Sequence, residues 1–323
     1  MIAIILMAIA AGSASALMFA SIVSGALISL LLFYLAPLPL MVAALGWGPL
    51  SATIGGIAAA CALMPIFGFS YGIAFAITVA LPAWWLGHLA LLGRPISHAA
   101  SPGNGAAPVE AVEWYPVGRI LLWITGFAAL TTMAALLTLG GDAATISAAL
   151  RRGLMRIIGP GDEAAPGTIE QSIDALVSVA PAAAALVAML TLTLNLWLAA
   201  KITATSGRLH RPWPALKSAD LPTMTLAAVS IAIALCFTDG LSGILAQIVT
   251  AALLMAYALT GFAVLHTLTL ELKSRAIWLC CTYALVMVIG WPILAMVVLG
   301  LADAIFGFRR RYLRRRPPPL PAS

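Results

Sequence analysis

From Met1 to Leu92 the chain contains no Asp, Glu, Lys or Arg. Ordinary soluble domains carry about 25% charged residues, so a run of this length without one belongs in a bilayer. At about 20 residues per span it has room for four helices. The remainder is of the same kind, because over 323 residues hydrophobic types make up 63% and charged types 9%. The expected fold is all-α: a polytopic transmembrane bundle of about eight spans, with seven to nine as the range.

Within this unit, Ala36–Gly56 (APLPLMVAALGWGPLSATIGG) joins two apolar runs. Pro37 and Pro39 remove two backbone donors and limit how the preceding helix ends. Gly46-Trp47-Gly48-Pro49 reads as a tight turn, with Pro49 suited to the first position of the next helix. Small residues then recur every four positions, Ser51, Gly55 and Ala59 beside Ala52, Gly56 and Ala60. A similar ladder, Gly12, Ala16 and Ala20, lies in the first span, and such ladders let helix backbones approach closely. Gly12, Ala16, Ala20, Gly55 and Gly56 are therefore candidate helix-docking residues, either inside the bundle or toward a partner.

Taken in order, 1–94 is a charge-free four-helix unit and 95–117 a Pro/Gly/Ala-rich loop. Residues 118–308 form a second transmembrane unit, and 309–323 an Arg/Pro-rich tail. Trp84-Trp85, His88 and Arg94 mark a membrane–water interface. The stretch 142–158 differs in kind. Asp142 can cap a helix with Ile146, Leu150, Leu154 and Ile157 on one face and Arg151, Arg152 and Arg156 opposite. That is an interfacial amphipathic helix; its outer segment extends to 174. A sixth span, about 173–200, contains Pro181. Apolar runs follow at about 222–238, 241–269 and 277–306, the last interrupted at Gly290-Trp291-Pro292.

Lys and Arg counts set the orientation. If the segments 93–119, 201–221 and 270–276 and the tail are cytoplasmic, only Arg151, Arg152 and Arg156 remain outside, a strong positive-inside bias. Three simple crossings after residue 221 would put the tail outside. Either 277–306 folds back at Trp291-Pro292, or one preceding run does not cross.

The four cysteines (Cys61, Cys236, Cys280, Cys281) lack metal-ligand spacing and read as small buried hydrophobes. There is no H-E-x-x-H, G-x-S-x-G or P-loop, and Leu139-Gly140-Gly141-Asp142 departs from the aspartyl intramembrane protease pattern. A non-enzyme without cofactor is expected. The basic tail fits anionic lipid better than nucleic acid, and no aromatic-and-basic interleaving for single strands is present.

Polar residues inside spans are functional candidates, because polar groups in hydrocarbon are costly. Gln247, Thr250, Tyr257 and Gly261 share one helix face, and Asn195 is an isolated strong polar group with Thr191 one turn before it. Asn195, Gln247, Thr250 and Tyr257 are candidate substrate-binding residues; interhelix hydrogen bonding is the competing reading. His266 reads as interfacial, and Asp303 as a charge pair with the nearby tail.

Pro37–Gly56, together with Asn195, the segment Gly261–His266, Leu299–Asp303 and Phe308-Arg309, resembles the YybS-like family of uncharacterised bacterial membrane proteins. The N-terminal part is similar, more distantly, to substrate-capture (S) subunits of energy-coupling-factor transporters. The equivalent features are the proline-to-glycine turn and the Ala16/Ala20 pair. These resemblances imply a multi-pass protein of the bacterial cytoplasmic membrane. They also imply a subunit capturing a small solute, working with a transmembrane coupling subunit and an ATPase. The alternative is a membrane scaffold recruiting protein partners without transport.

Overall fold

The computed structural model describes residues 2–97, 110–158, 166–214 and 219–314. Most of them are helical, and the chain divides into two compact units, 1–127 with 190–214 and 128–189 with 215–323. Among the described residues, seven helical stretches are long and apolar enough to cross a membrane: Ile2–Ser24, Leu27–Trp47, Pro49–Phe67, Phe69–Leu91, Val117–Leu137, Glu170–Thr205 and Leu241–Leu268. The all-α polytopic bundle is what the composition leads one to expect.

In the first unit, α1 (Ile2–Ala20) is followed by α2 (Leu27–Leu35), α3 (Pro37–Trp47) and α4 (Pro49–Phe67). The second span is broken where the prolines require it. Pro37 has no N–H to give Phe33, whose carbonyl instead accepts from Ala36 N–H at 3.2 Å. Gly48 takes a φ of 94°, a conformation open to glycine, and Pro49 opens α4. At the α1–α4 contact, a Cβ on Gly12 would overlap the Gly55 carbonyl, and one on Gly55 the Ala8 carbonyl. The two backbones touch, as only small residues allow. Phe19 fills the space beside them, packed on Phe33, Tyr71 and Phe75.

The fourth span is α5 (Phe69–Phe75), a π-helical turn (Ala76–Ala80) and α6 (Leu81–Leu91). Next come two strands rather than a simple loop. β1 (Gly93–Ser97) pairs antiparallel with β2 (Glu110–Trp114), Gly93 opposite Trp114 and Ser97 opposite Glu110. Both strands are edges, so Pro95 is tolerated; five-residue strands around a proline carry too little alternation to be read from sequence. Residues 98–109 of the expected loop lie outside the described residues. Two further helices, α7 (Val117–Leu137) and α9 (Pro166–Thr205), each contain one of the three boundaries between the units. Pro181 lies inside α9.

In the second unit α8 (Ala143–Ile158) is the expected amphipathic helix. The Asp142 carboxylate accepts from Thr145 N–H (2.9 Å) and Thr145 Oγ1 (2.6 Å), which caps its first turn. Its apolar face divides. Ile146 is fully buried with Leu136, Ala185 and Ile248, and Leu150 packs on that cluster, whereas Ile157 is 83% exposed. Arg151 pairs with Asp174 at 2.8 Å.

Then come α10 (Met224–Leu235), α11 (Leu241–Leu268), α12 (Arg275–Ile289), α13 (Ile293–Phe306) and α14 (Phe308–Arg314). The expected interruption at Gly290-Trp291-Pro292 separates α12 from α13. With 12, 15 and 14 residues, α10, α12 and α13 rise only about 18–23 Å, against roughly 30 Å of hydrocarbon.

Candidate functional site

The site is built on the crossing of α11 and α13. A Cβ on Gly261 would overlap the Met296 carbonyl, and one on Gly300 the Tyr257 carbonyl. The order of these contacts makes the helices antiparallel, and their backbones lie too close for any side chain between them. Tyr257 and Thr260 flank the contact and are buried. Thr225 Oγ1 donates its one proton to the Pro222 carbonyl at 2.6 Å, so at its 2.6 Å contact with Tyr257 it accepts the phenol proton. Tyr257 thereby ties the start of α10 to α11.

Next to this crossing the chain turns from α13 into α14 through Gly307, at a φ of 66°. Asp303 organises the turn. Its carbonyl accepts from Gly307 N–H (2.7 Å). Its carboxylate accepts from Arg309 N–H (2.8 Å) and from Arg309 Nε (2.6 Å). The Arg309 guanidinium also donates to the Ala219 carbonyl (3.2 Å) and to Asp220. Side chains of Asp303 and Arg309 are 5% and 4% exposed, so this ion pair is inside the protein. Arg310, largely exposed, reaches the second Asp220 oxygen at 3.2 Å. Together with Leu221, Thr223, Tyr257, Thr260 and Gly300 these groups line a recess of about 170 Å³. It offers carboxylates, guanidinium groups and hydroxyls within one small volume.

Of the four candidate substrate-binding residues, Tyr257 lines this recess. Thr250 lies elsewhere on α11, its hydroxyl 3.3 Å from Cys236 Sγ, and Gln247 is half-buried nearer the start of α11. The four do not converge. Asn195 belongs to the first unit, where Nδ2 donates to the carbonyls of Tyr34 and Thr191, both at 2.8 Å. Tyr34 sits at the α2–α3 break, so Asn195 supplies a donor where prolines deplete them. Its Oδ1 is buried without a hydrogen-bond partner among the described residues. Gly12, Ala16, Gly55 and Gly56 are buried in the first unit, and Ala20 is half-buried. Among the described residues no three His, Cys, Asp or Glu side chains gather as a metal ion would require.

The pairing of Asp303 with the arginine run was expected, whereas the recruitment of Ala219 and Asp220 was not: no local signal links positions 90 residues apart. Arg211 lies in the basic 201–221 segment. Half-buried in the first unit, it donates to the carbonyls of Ala90 (3.1 Å) and Tyr115 (2.9 Å). Desolvation lowers its pKa from the usual arginine value. Nearby in the chain, Arg208 lies 4.5 Å from the Trp47 ring centroid and Lys201 5.4 Å from that of Trp213. Cations on indoles are suited to a membrane–water boundary.

A family model described as "Predicted membrane protein (DUF2232)" matches residues 13–304. Neither a curated protein nor a solved structure matches the chain.

Proposed function

Since the chain belongs to the DUF2232 family of predicted membrane proteins, whose description carries no activity, we propose from its own geometry that it is a non-catalytic membrane subunit. It captures a small charged solute in the recess beside Asp303 and Arg309. The observation that carries this reading is the buried Asp303–Arg309 pair, on the wall of a cavity that also presents Tyr257 and Thr260. An ionisable residue in a membrane protein's interior marks a functional site by default, and a pocket with convergent polar groups is where a ligand binds. Drug-sized ligands take roughly 300–1,000 Å³, so about 170 Å³ fits a solute of few heavy atoms. Walls carrying both signs of charge favour a zwitterion or a small ion. Energy for transport would come from a coupling subunit and ATPase, as the similarity to S subunits implies.

The test is native mass spectrometry of the purified full chain, with Tyr257→Phe beside it. Retention of a small solute by the wild type, reduced in Tyr257→Phe, is expected. Solute-free spectra from gently extracted wild type, or identical retention in both, would reject capture at this recess.

The second reading is a scaffold, recruiting partners through the 201–221 segment, the basic tail and α8. It is supported by the burial of Gly12, Ala16, Gly55 and Gly56 within the first unit, which leaves the α1 ladder little small-residue surface for a coupling subunit. Because Arg309 and Arg310 both line the recess, a clean truncation removes only Arg311–Ser323. Loss of co-purifying proteins from that variant, with solute retention unchanged, would favour the scaffold. An unaltered partner list would count against it.

A further inference from the structure

We infer that the outward face of α14 is a binding site for anionic phospholipid headgroups. Phe308–Arg314, FRRRYLR, reads in sequence as a uniform basic run, but the helix sorts it. At about 100° per residue, Arg310, Arg311 and Arg314 fall on one arc and Arg309 on the opposite side. The exposures agree. Arg309 is buried in the pair with Asp303 and Asp220, while Arg310, Arg311 and Arg314 are exposed. Arg310 is partly engaged by Asp220. Among the described residues no carboxylate pairs with Arg311 or Arg314.

Three further features specify a lipid rather than another anion. First, α14 follows directly on α13, an apolar helix with one charged residue, so its arginines stand where hydrocarbon gives way to water. Second, Phe306 and Phe308 stack at 5.7 Å between centroids and remain 53% and 36% exposed, an aromatic seat at the level of the headgroups. Third, Arg309 fixes the helix by four hydrogen bonds to Asp303, Ala219 and Asp220. The cationic face is therefore presented in a set orientation, not as a loose tail. Arg311 and Arg314, one turn apart, hold the phosphate, guanidinium being suited to bidentate phosphate contacts.

The experiment uses the full chain purified in detergent, with phosphatidylglycerol or phosphatidylcholine added. Lipid adducts are counted by native mass spectrometry, and thermal stability is followed in parallel. The wild type is expected to retain phosphatidylglycerol preferentially. Arg311→Gln with Arg314→Gln should lower that preference on the order of tenfold, with unfolding in phosphatidylcholine unchanged, and the two lysine substitutions should restore most of it. A parallel arm adds inorganic phosphate alone. If phosphate stabilises the wild type as well as phosphatidylglycerol does, the site is for a free anion and the lipid assignment is overturned. It is equally overturned if the wild type shows no headgroup preference, or if the double glutamine variant keeps it.

Discussion

Replacing Asp303 by alanine would leave the Arg309 guanidinium buried with only part of its partners. Breaking a buried ion pair from one side costs about 3–5 kcal/mol, and here the lost carboxylate also caps the first turn of α14 through Arg309 N–H. A fall of that size in unfolding free energy is expected for Asp303→Ala, measured by denaturant unfolding in micelles. Asp303→Asn should lose less, because its carbonyl oxygen can still accept the backbone N–H. Replacing both partners, Asp303→Leu with Arg309→Met, removes the buried pair, leaves the partly exposed Asp220 to Arg310 and water, and should be milder than Asp303→Ala. A double variant as unstable as the single one would show that the pair acts through something other than buried charge. Asp142 makes a different residue-level prediction. The Thr145 hydroxyl, and then the Thr145 N–H, hold its carboxyl below the usual carboxylate range. A depressed folded-state pKa contributes stability above the unfolded value, and that contribution disappears as pH falls through the folded one. The first turn of α8 should therefore loosen below about pH 4, read as faster amide exchange after correction for intrinsic rates. Asp142→Asn still caps but does not titrate at that pH. If it loosens in the same way, the cap is not the cause.

At the scale of elements, glycine position separates contact from ornament. Gly261→Ala and Gly300→Ala each force a methyl group into a backbone carbonyl of the facing helix. Each should cost about 1–3 kcal/mol or more, as overpacking does. A Cβ at Gly126 of α7 meets nothing within 4 Å, so Gly126→Ala should be neutral, or stabilising by up to about 1 kcal/mol. Thermal unfolding of the three variants checks this, and equal shifts at all three positions would refute the α11–α13 contact. The same contrast explains what could be read in advance. The breaks at Pro37 and at Trp291-Pro292, the start of α4 at Pro49 and the cap at Asp142 are local events, each set by one residue's backbone chemistry. The four-residue ladders announced close packing, but a ladder does not name its partner. Gly12 meeting Gly55 and Gly261 meeting Gly300 depend on the fold of each unit. The β1–β2 hairpin was hidden for the opposite reason, its strands being too short for a period to show.

For the whole molecule, the charge-free first 92 residues were enough to specify a helical membrane bundle, but the recess was not legible. Its polar groups come from Asp220, Tyr257, Asp303 and Arg309, on four segments, and periodicity speaks for one helix at a time. That convergence resolves part of the orientation problem left by counting Lys and Arg. Arg309 donates to the Ala219 carbonyl and to Asp220, so 219–220 and the start of α14 lie at one end of the second unit. Chain direction agrees. Thr225 meets Tyr257 and Cys236 meets Thr250, so α10 runs antiparallel to α11; α13 does so too, with Gly300 beside Tyr257. The net path from residue 220 to residue 309 returns to the side it left, and the short α10, α12 and α13 need not each cross. Cysteine labelling in a chain with Cys61, Cys236, Cys280 and Cys281 replaced can check this. With Thr223→Cys and Arg314→Cys, both at exposed positions, impermeant reagent should react from the same side, the cytoplasmic one by the positive-inside bias. Arg156→Cys on α8 should react from the opposite side. Labelling of Thr223→Cys and Arg314→Cys from opposite sides would be incompatible with the Arg309–Asp220 contact, and with it the recess as described would fall.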